Sequence, residues 1–215
     1  MKKLLSVVAV AAAVFLPSLS QATIITSAAG LATYDQLVTF SNPSLAANTI
    51  VTNQYAAQGL TFSALNGGAV RANGCGANGW NSYTGLSGDT LNTFGAGCST
   101  NTVNDSFSML FANSVSAASF GFYNYGANTL TALLNGNVVE TFALTSSSGG
   151  AYVKFANMFF NEIRFTESFS QGAYLVLDNV AYANAVPEPT TVALLGLGLL
   201  GVIASRRKSA KSKNA

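Results

Sequence analysis

The 215-residue chain holds no histidine, two cysteines and eight carboxylates. Without an imidazole there is no Ser-His or Cys-His arrangement and no His-ligated zinc. Cys75 and Cys98 have no further Cys or His to complete a zinc site. In an oxidising compartment such a pair reads as a disulfide. It would close a loop of 24 residues, worth on the order of 3 kcal/mol; two free thiols are the alternative. Seven carboxylates lie between residues 23 and 185: Asp35, Asp89, Asp105, Glu140, Glu162, Glu167 and Asp178. A glycoside hydrolase needs two of them about 5 to 10 Å apart, and none sits in a recognisable motif. A secreted glycoside hydrolase is therefore the weakest functional reading. No catalytic residue is assigned, and a non-enzymatic protein is expected.

Binding chemistry concentrates elsewhere. Residues 66–101 contain nine of the 20 glycines, with many Asn, Ser and Thr. Trp80, the sole tryptophan, and Tyr83 sit in this segment between the cysteines. With Asn81, Ser82 and Asp89 they can stack a sugar ring and hydrogen-bond its hydroxyls. The alternative is that Trp80 packs the loop onto the body, since a long loop needs an internal hydrophobic contact to stay ordered. Asp178 follows Leu177 on a strand pattern and faces the opposite side. With Asp35, or with a carbonyl of the first strand, it can hold a structural Ca²⁺; the alternative is an Asp bonded to nearby backbone. No other cofactor is expected. Gly196-Leu197-Gly198-Leu199-Leu200-Gly201 satisfies GxGxxG. A dinucleotide site needs a strand before it and an acid about 20 positions later. Pro187 and Pro189 precede it and the chain stops at Ala215, so these glycines read as close-packing positions of a membrane helix.

The elements that must position these residues are strands. Leu60–Ser63, Ser106–Phe111, Ala118–Tyr123, Glu162–Thr166 and Tyr174–Tyr182 alternate polar and apolar residues with period two. Asn135-Gly136 between Leu133-Leu134 and Val138-Val139 marks a hairpin, because Asn-Gly supports the two positive φ angles of a type I′ turn. No helical stripe runs through residues 23–185. The fold class expected is all-β, a β-sandwich or jelly roll.

The two ends read as processing signals. Met1-Lys2-Lys3, the apolar stretch Leu4–Leu16, Pro17 and Ser20-Gln21-Ala22 form a signal peptide over residues 1–22, addressed to the Sec translocon and cut by signal peptidase. Residues 23–185 are the ectodomain. At the other end Val186-Pro187-Glu188-Pro189 precedes an apolar run, Val192–Ala204, and then the basic stop Arg206, Arg207 and Lys208. A helix over about 190–205 is short of the about 20 residues a bilayer core needs. It suits temporary retention, with the basic cluster on the cytoplasmic side. Seven of the ten basic residues lie in these two signals. Three basic against seven acidic residues leave the ectodomain at about −4 by charge counting. That composition offers no basic patch for nucleic acid.

Val186-Pro187-Glu188-Pro189-Thr190, Leu194–Gly201 and Arg206-Arg207-Lys208 together resemble the PEP-CTERM sorting signal of Gram-negative bacteria. The resemblance implies residues 186–215 as a sorting tail, retention at the inner membrane, and processing by an exosortase. It implies delivery to the cell envelope, then to the outer surface or outside the cell, in association with exopolysaccharide or biofilm. The body, through Tyr34–Phe40, Gln58–Ser63 and Leu177–Tyr182, resembles the jelly-roll, carbohydrate-binding-like domains that such proteins carry. The leading expectation is an exported envelope or matrix protein; the second is a carbohydrate-binding module using the loop around Trp80.

Overall fold

The computed structural model describes residues 23–65, 68–73, 82–93, 106–144, 148–167 and 174–185, with backbone alone for 148–150. The expected all-β class holds: eleven strands and one 3-10 turn at Ala56–Gln58 make up the described regular structure. The strands are β1 (Thr23–Ser27), β2 (Gln36–Val38), β3 (Leu60–Ala64), β4 (Arg71–Ala72), β5 (Leu91–Asn92), β6 (Phe107–Tyr125), β7 (Asn128–Leu134), β8 (Asn137–Leu144), β9 (Ser148–Ala156), β10 (Phe160–Glu167) and β11 (Tyr174–Asn184).

One long strand organises the sandwich. The first part of β6 pairs with β3 on one side and β10 on the other, and β10 continues to β7 and β8. The second part of β6 pairs with β11 and β9; β2 and β5 flank β11, β4 flanks β5, and β1 flanks β9. Every pairing is antiparallel, so each layer can bury one face and leave the other to solvent. The sequence shows Ser106–Phe111 and Ala118–Tyr123 as two separate patterns because β6 changes phase between them. Phe107, Met109, Phe111 and Val115 are buried, and then Ala118, Phe120 and Phe122. Odd positions give way to even ones where Ala117 pairs Ala183 but Val115 pairs Asn184, an extra residue on β6. A one-residue insertion moves every later side chain to the other face.

β11 does the same in its middle. Leu175 and Leu177 point into the core, then Val180 and Tyr182 do. The extra residue lies between Asp178, opposite Gly121, and Ala181, opposite Ser119. Asn179 takes a φ of 51° there, a left-handed conformation that Asn adopts more readily than most residues. The Asn-Gly hairpin forms as expected, with Asn135 and Gly136 at φ 51° and 81° joining β7 to β8.

Between the layers runs a chain of phenylalanines. Phe62 meets Phe107 and Phe107 meets Phe165, at ring-centre distances of 6.2 and 5.4 Å. Phe111, Phe160, Phe155 and Phe120 form a second run at 5.7, 5.5 and 6.0 Å. Each fully buried ring contributes roughly 1.5–3 kcal/mol of transfer free energy. With Tyr182, Tyr55 is a polar member of this core. Its hydroxyl donates to the carbonyl of Phe40 at 2.9 Å or of Pro43 at 3.0 Å. Burial first, then the charges of Asp89 and Asp178, push its phenol up to about 12.

Candidate functional site

The phase of β6 and β11 decides what reaches the outer face of their layer. While Phe120, Phe122, Leu175 and Leu177 turn inward, Gly121, Tyr123, Tyr125, Tyr174, Val176 and Asp178 turn outward. Strand register places Tyr125 opposite Tyr174, Tyr123 opposite Val176, and Gly121 opposite Asp178. On the other flank of β6, Tyr152 stands opposite Gly121. The segment Ser82–Asp89 lies over this face.

Two glycines let that segment come down onto the sheet. A Cβ on Gly121 would stand 1.9 Å from the carbonyl oxygen of Gly85, and one on Gly85 would stand 2.9 Å from the Cα of Gly121. Gly85 also holds a φ of 86°, which a side chain would strain. Backbone therefore rests directly on backbone. Leu86 and Val176 bury against each other beside it, with Tyr83, Tyr123 and Tyr174 packed around them.

Asp178 and Asn179 fasten the segment. The Ser87 N–H donates to Asp178 Oδ2 at 2.9 Å, and the Asn179 N–H donates to Oδ1 at 2.6 Å. Asn179 Nδ2 reaches the Gly85 carbonyl at 2.9 Å and Asp178 Oδ2 at 3.1 Å. The β11 bulge makes this possible by aiming two consecutive side chains at one segment. Asp178 is 0% exposed. Burial raises its carboxyl to about 7, against the two N–H donors, which lower it. A raised carboxyl pKa is a common mark of general acids. Here the group is buried under the segment it holds, where it positions a loop.

The rings form a row. Tyr83 lies 4.7 Å from Tyr123, Tyr123 5.9 Å from Tyr174, and Tyr174 5.3 Å from Tyr125, measured between ring centres. The last two pairs are near parallel, at 15° each. Burial, and next the Tyr123 phenol, which is hydrogen-bonded to it, hold the Tyr174 phenol well above its ordinary value. Tyr125, at the end of the row, is 47% exposed.

The residues singled out in the sequence are distributed as follows. Tyr83 joins the tyrosine row. Asp89 does not: its carboxylate accepts from the Ser44 hydroxyl, and its N–H donates to Ser41 Oγ at 3.3 Å, so it ties the segment to residues 41–44. Trp80, Cys75 and Cys98 lie outside the described residues, as do the sorting motif Val186, Pro187, Glu188 and Pro189, the basic stop Arg206, Arg207 and Lys208, and the leader 1–22. Asp35 accepts the N–H of Asn184 at 2.7 Å and donates its own N–H to Tyr182 at 3.0 Å. That is at least four residues along β11 from Asp178, roughly 13 Å at strand rise. The structure therefore does not bring Asp35 and Asp178 into one ligand set. Among the described residues no group of three or more acidic or cysteine side chains is placed to hold a metal. Among them also no helix is long and apolar enough to cross a membrane. Tyr123, Tyr125 and Tyr174 were not singled out by sequence reasoning, although their outward phase beside inward Phe120, Phe122 and Leu175 was readable.

Comparison with solved structures returns a variant of a family 29 carbohydrate binding module complexed with mannohexaose. It has a TM-score of 0.41 and 11% identity, over 78% of this chain and 100% of that one. Another family 29 module gives 0.35 and 11%, over 80% and 98%. The enzymatically active domain of bacteriophage CBA120 tailspike protein 4 gives 0.33 and 15%, over 63% and 21%. No curated protein matches. Residues 185–208 match the family model of the PEP-CTERM protein-sorting motif, and the chain thus carries a signal that implies exosortase-dependent export to the cell envelope.

Proposed function

We propose that this chain is a non-enzymatic component of the cell envelope or extracellular matrix. In this reading residues 1–22 hand the chain to the Sec translocon and are removed by signal peptidase. The helix at about 190–205 holds it briefly at the inner membrane, with Arg206, Arg207 and Lys208 on the cytoplasmic side. An exosortase acts at Val186–Pro189, and the β-sandwich reaches the outer surface. The observation that carries the reading is the sorting-motif match over residues 185–208. Deleting 186–215 tests it: the protein is expected to move from the envelope fraction to periplasm or medium. Unchanged fractionation would overturn it.

A second reading concerns the work done at that destination: the sandwich binds exopolysaccharide. The tyrosine row favours it, because aromatic rings with polar hydroxyls on a half-exposed sheet face are a binding composition rather than a core composition. Co-sedimentation of the exported protein with exopolysaccharide from the same cells tests it. Protein left wholly in the supernatant would sink this reading and leave the export reading standing.

A further inference from the structure

The edge strands of the sandwich are finished in different ways. The segment 48–55 covers two of them. Thr52 and Tyr55 offer carbonyls to the N–H groups of Phe62 and Leu60 on β3, at 2.6 and 3.2 Å. Thr49 accepts from the Ala72 N–H on β4 at 2.9 Å, and Asn48 donates to the Ala72 carbonyl at 2.7 Å. β8 has no such cover. Its ladder partner is β7, and β1 lies beside it in the other layer but pairs with β9. Among the described residues no backbone bond beyond the β7 ladder reaches Val138–Leu144. β8 is also the longest strand with a single ladder partner, at eight residues against five for β1 and β3.

An open row of N–H and C=O groups is a template for another strand. Natural edges are blunted by Lys, Pro, bulges or inward-pointing charges. β8 has a bulge at Val139, since Leu133 pairs Val138 but Ala132 pairs Glu140. It has one charge, Glu140, on the face of the buried Ala132. Both devices lie in its first half. Thr141-Phe142-Ala143-Leu144 carries no charge, no proline and no bulge. Thr141 and Ala143 are exposed, and Phe142 packs on the core only in part. Phase and charge then choose a register. A strand that pairs antiparallel with its own copy does so about a two-fold axis. Core face continues into core face only if that axis passes through a residue rather than between two. An axis at Glu140 sets two carboxylates opposite each other, and one at Thr141 sets them on a close diagonal; both are like-charge contacts. An axis at Phe142 sets each Glu140 opposite Leu144 of the other copy, with the carboxylates' strand positions about 13 Å apart.

We infer that β8 is the docking edge for a second copy of this chain, paired antiparallel about Phe142. The layer that ends in β8 then continues from one molecule into the next. Phe142 meets Phe142 of the other copy at the axis, and Thr141 stands opposite Ala143 on the outer face. The run Glu140–Leu144 makes a small interface, below the about 1,200 Å² of a stable complex. The pair therefore forms where the protein is concentrated, as on a surface or in a matrix. The inference is independent of exopolysaccharide binding and adds a partner, the chain itself.

Sedimentation velocity of the exported protein over rising concentration tests it. A monomer–dimer equilibrium is expected. Ala143→Lys charges the exposed edge and should weaken dimerisation about tenfold, because the two-fold axis doubles each like-charge contact. Thermal melts check the fold, and Thr141→Lys, also at an exposed position, serves as the second variant. For the register, Thr141→Cys and Ala143→Cys proteins are mixed under mild oxidation, with wild type as the control for Cys75 and Cys98. Disulfide-linked dimers should form severalfold faster in the mixture than in either variant alone. A wild type that stays monomeric at every concentration would overturn the docking edge. A dimer that both lysine variants leave intact would also overturn it, since the interface would then lie elsewhere. Faster linkage of Thr141→Cys with itself would overturn the pairing about Phe142. All of these outcomes leave the export reading to its own deletion test.

Discussion

The inner and outer faces of β6 and β11 use the same kind of residue for opposite ends. Inward, Phe120, Phe122, Leu175 and Leu177 are buried, and Phe120 joins the ring chain that runs between the layers. Outward, one residue away along each strand, Tyr123, Tyr125 and Tyr174 keep contact with solvent and with each other. The difference is one hydroxyl per ring and one step of strand phase. A buried phenol needs a partner, as Tyr55 finds in the carbonyls of Phe40 and Pro43. A phenol on the outer face can find it in solvent or ligand. Aromatic content alone therefore says little about such a sheet; its phase says which rings enter the core and which stay on the outer face.

Substitutions sharpen that contrast by size. Phe155→Ala removes a ring that touches both Phe120 and Phe160. It is expected to cost about 3–5 kcal/mol in chemical denaturation. A loss below about 1 kcal/mol would mean that the inner chain of rings is not what holds the layers. Gly121→Ala is next. Its Cβ would overlap the Gly85 carbonyl, so the segment must lift, at about 1–3 kcal/mol. Near-UV circular dichroism should change as Tyr83 leaves Tyr123, and an unchanged spectrum would contradict the close seating of the segment.

Asp178 gives the pH dependence. Its folded value of about 7 lies above its ordinary 3.8 because burial disfavours the charged form. Its contribution to stability is thus fully present below about pH 4 and is lost as pH rises through about 7. The slope is at most about 1.4 kcal/mol per pH unit. Against Asp178→Asn, which cannot titrate, wild type should lose relative stability between pH 4 and pH 8 in urea titrations. Parallel curves would refute the raised value. The smallest effect belongs to Tyr125→Ala, within about 1 kcal/mol of wild type by thermal melt, because its ring is half in solvent. A large loss there would erase the distinction between the two faces.

Much of the fold was legible because it is local. Leu60–Ser63 and Glu162–Thr166 alternate cleanly and are strands, and Tyr174–Tyr182 is a strand although a bulge shifts its phase. Asn135-Gly136 encodes its own turn. The unity of β6 was hidden, since its bulge is fixed by pairing with β11 and β10 and breaks the period that reveals a strand. The site was half legible. Tyr83 was named, but its neighbours come from residues 40 and more positions away, and spacing along a chain does not show which rings will meet. Asp178 was correctly turned away from Leu177. It bonds the N–H groups of Ser87 and Asn179, while Asp35 bonds Asn184, at least four residues further along β11. The tail was legible for the opposite reason: a sorting signal is written in consecutive residues and needs no fold to be recognised.

β6 has one further consequence. A strand that belongs to both layers makes each the template of the other, so neither can be lost while the other stays. Heating should produce a single transition seen alike by probes of the phenylalanine interior and of the tyrosine row. For an exported protein, the seam denies proteases a half-open state to cut.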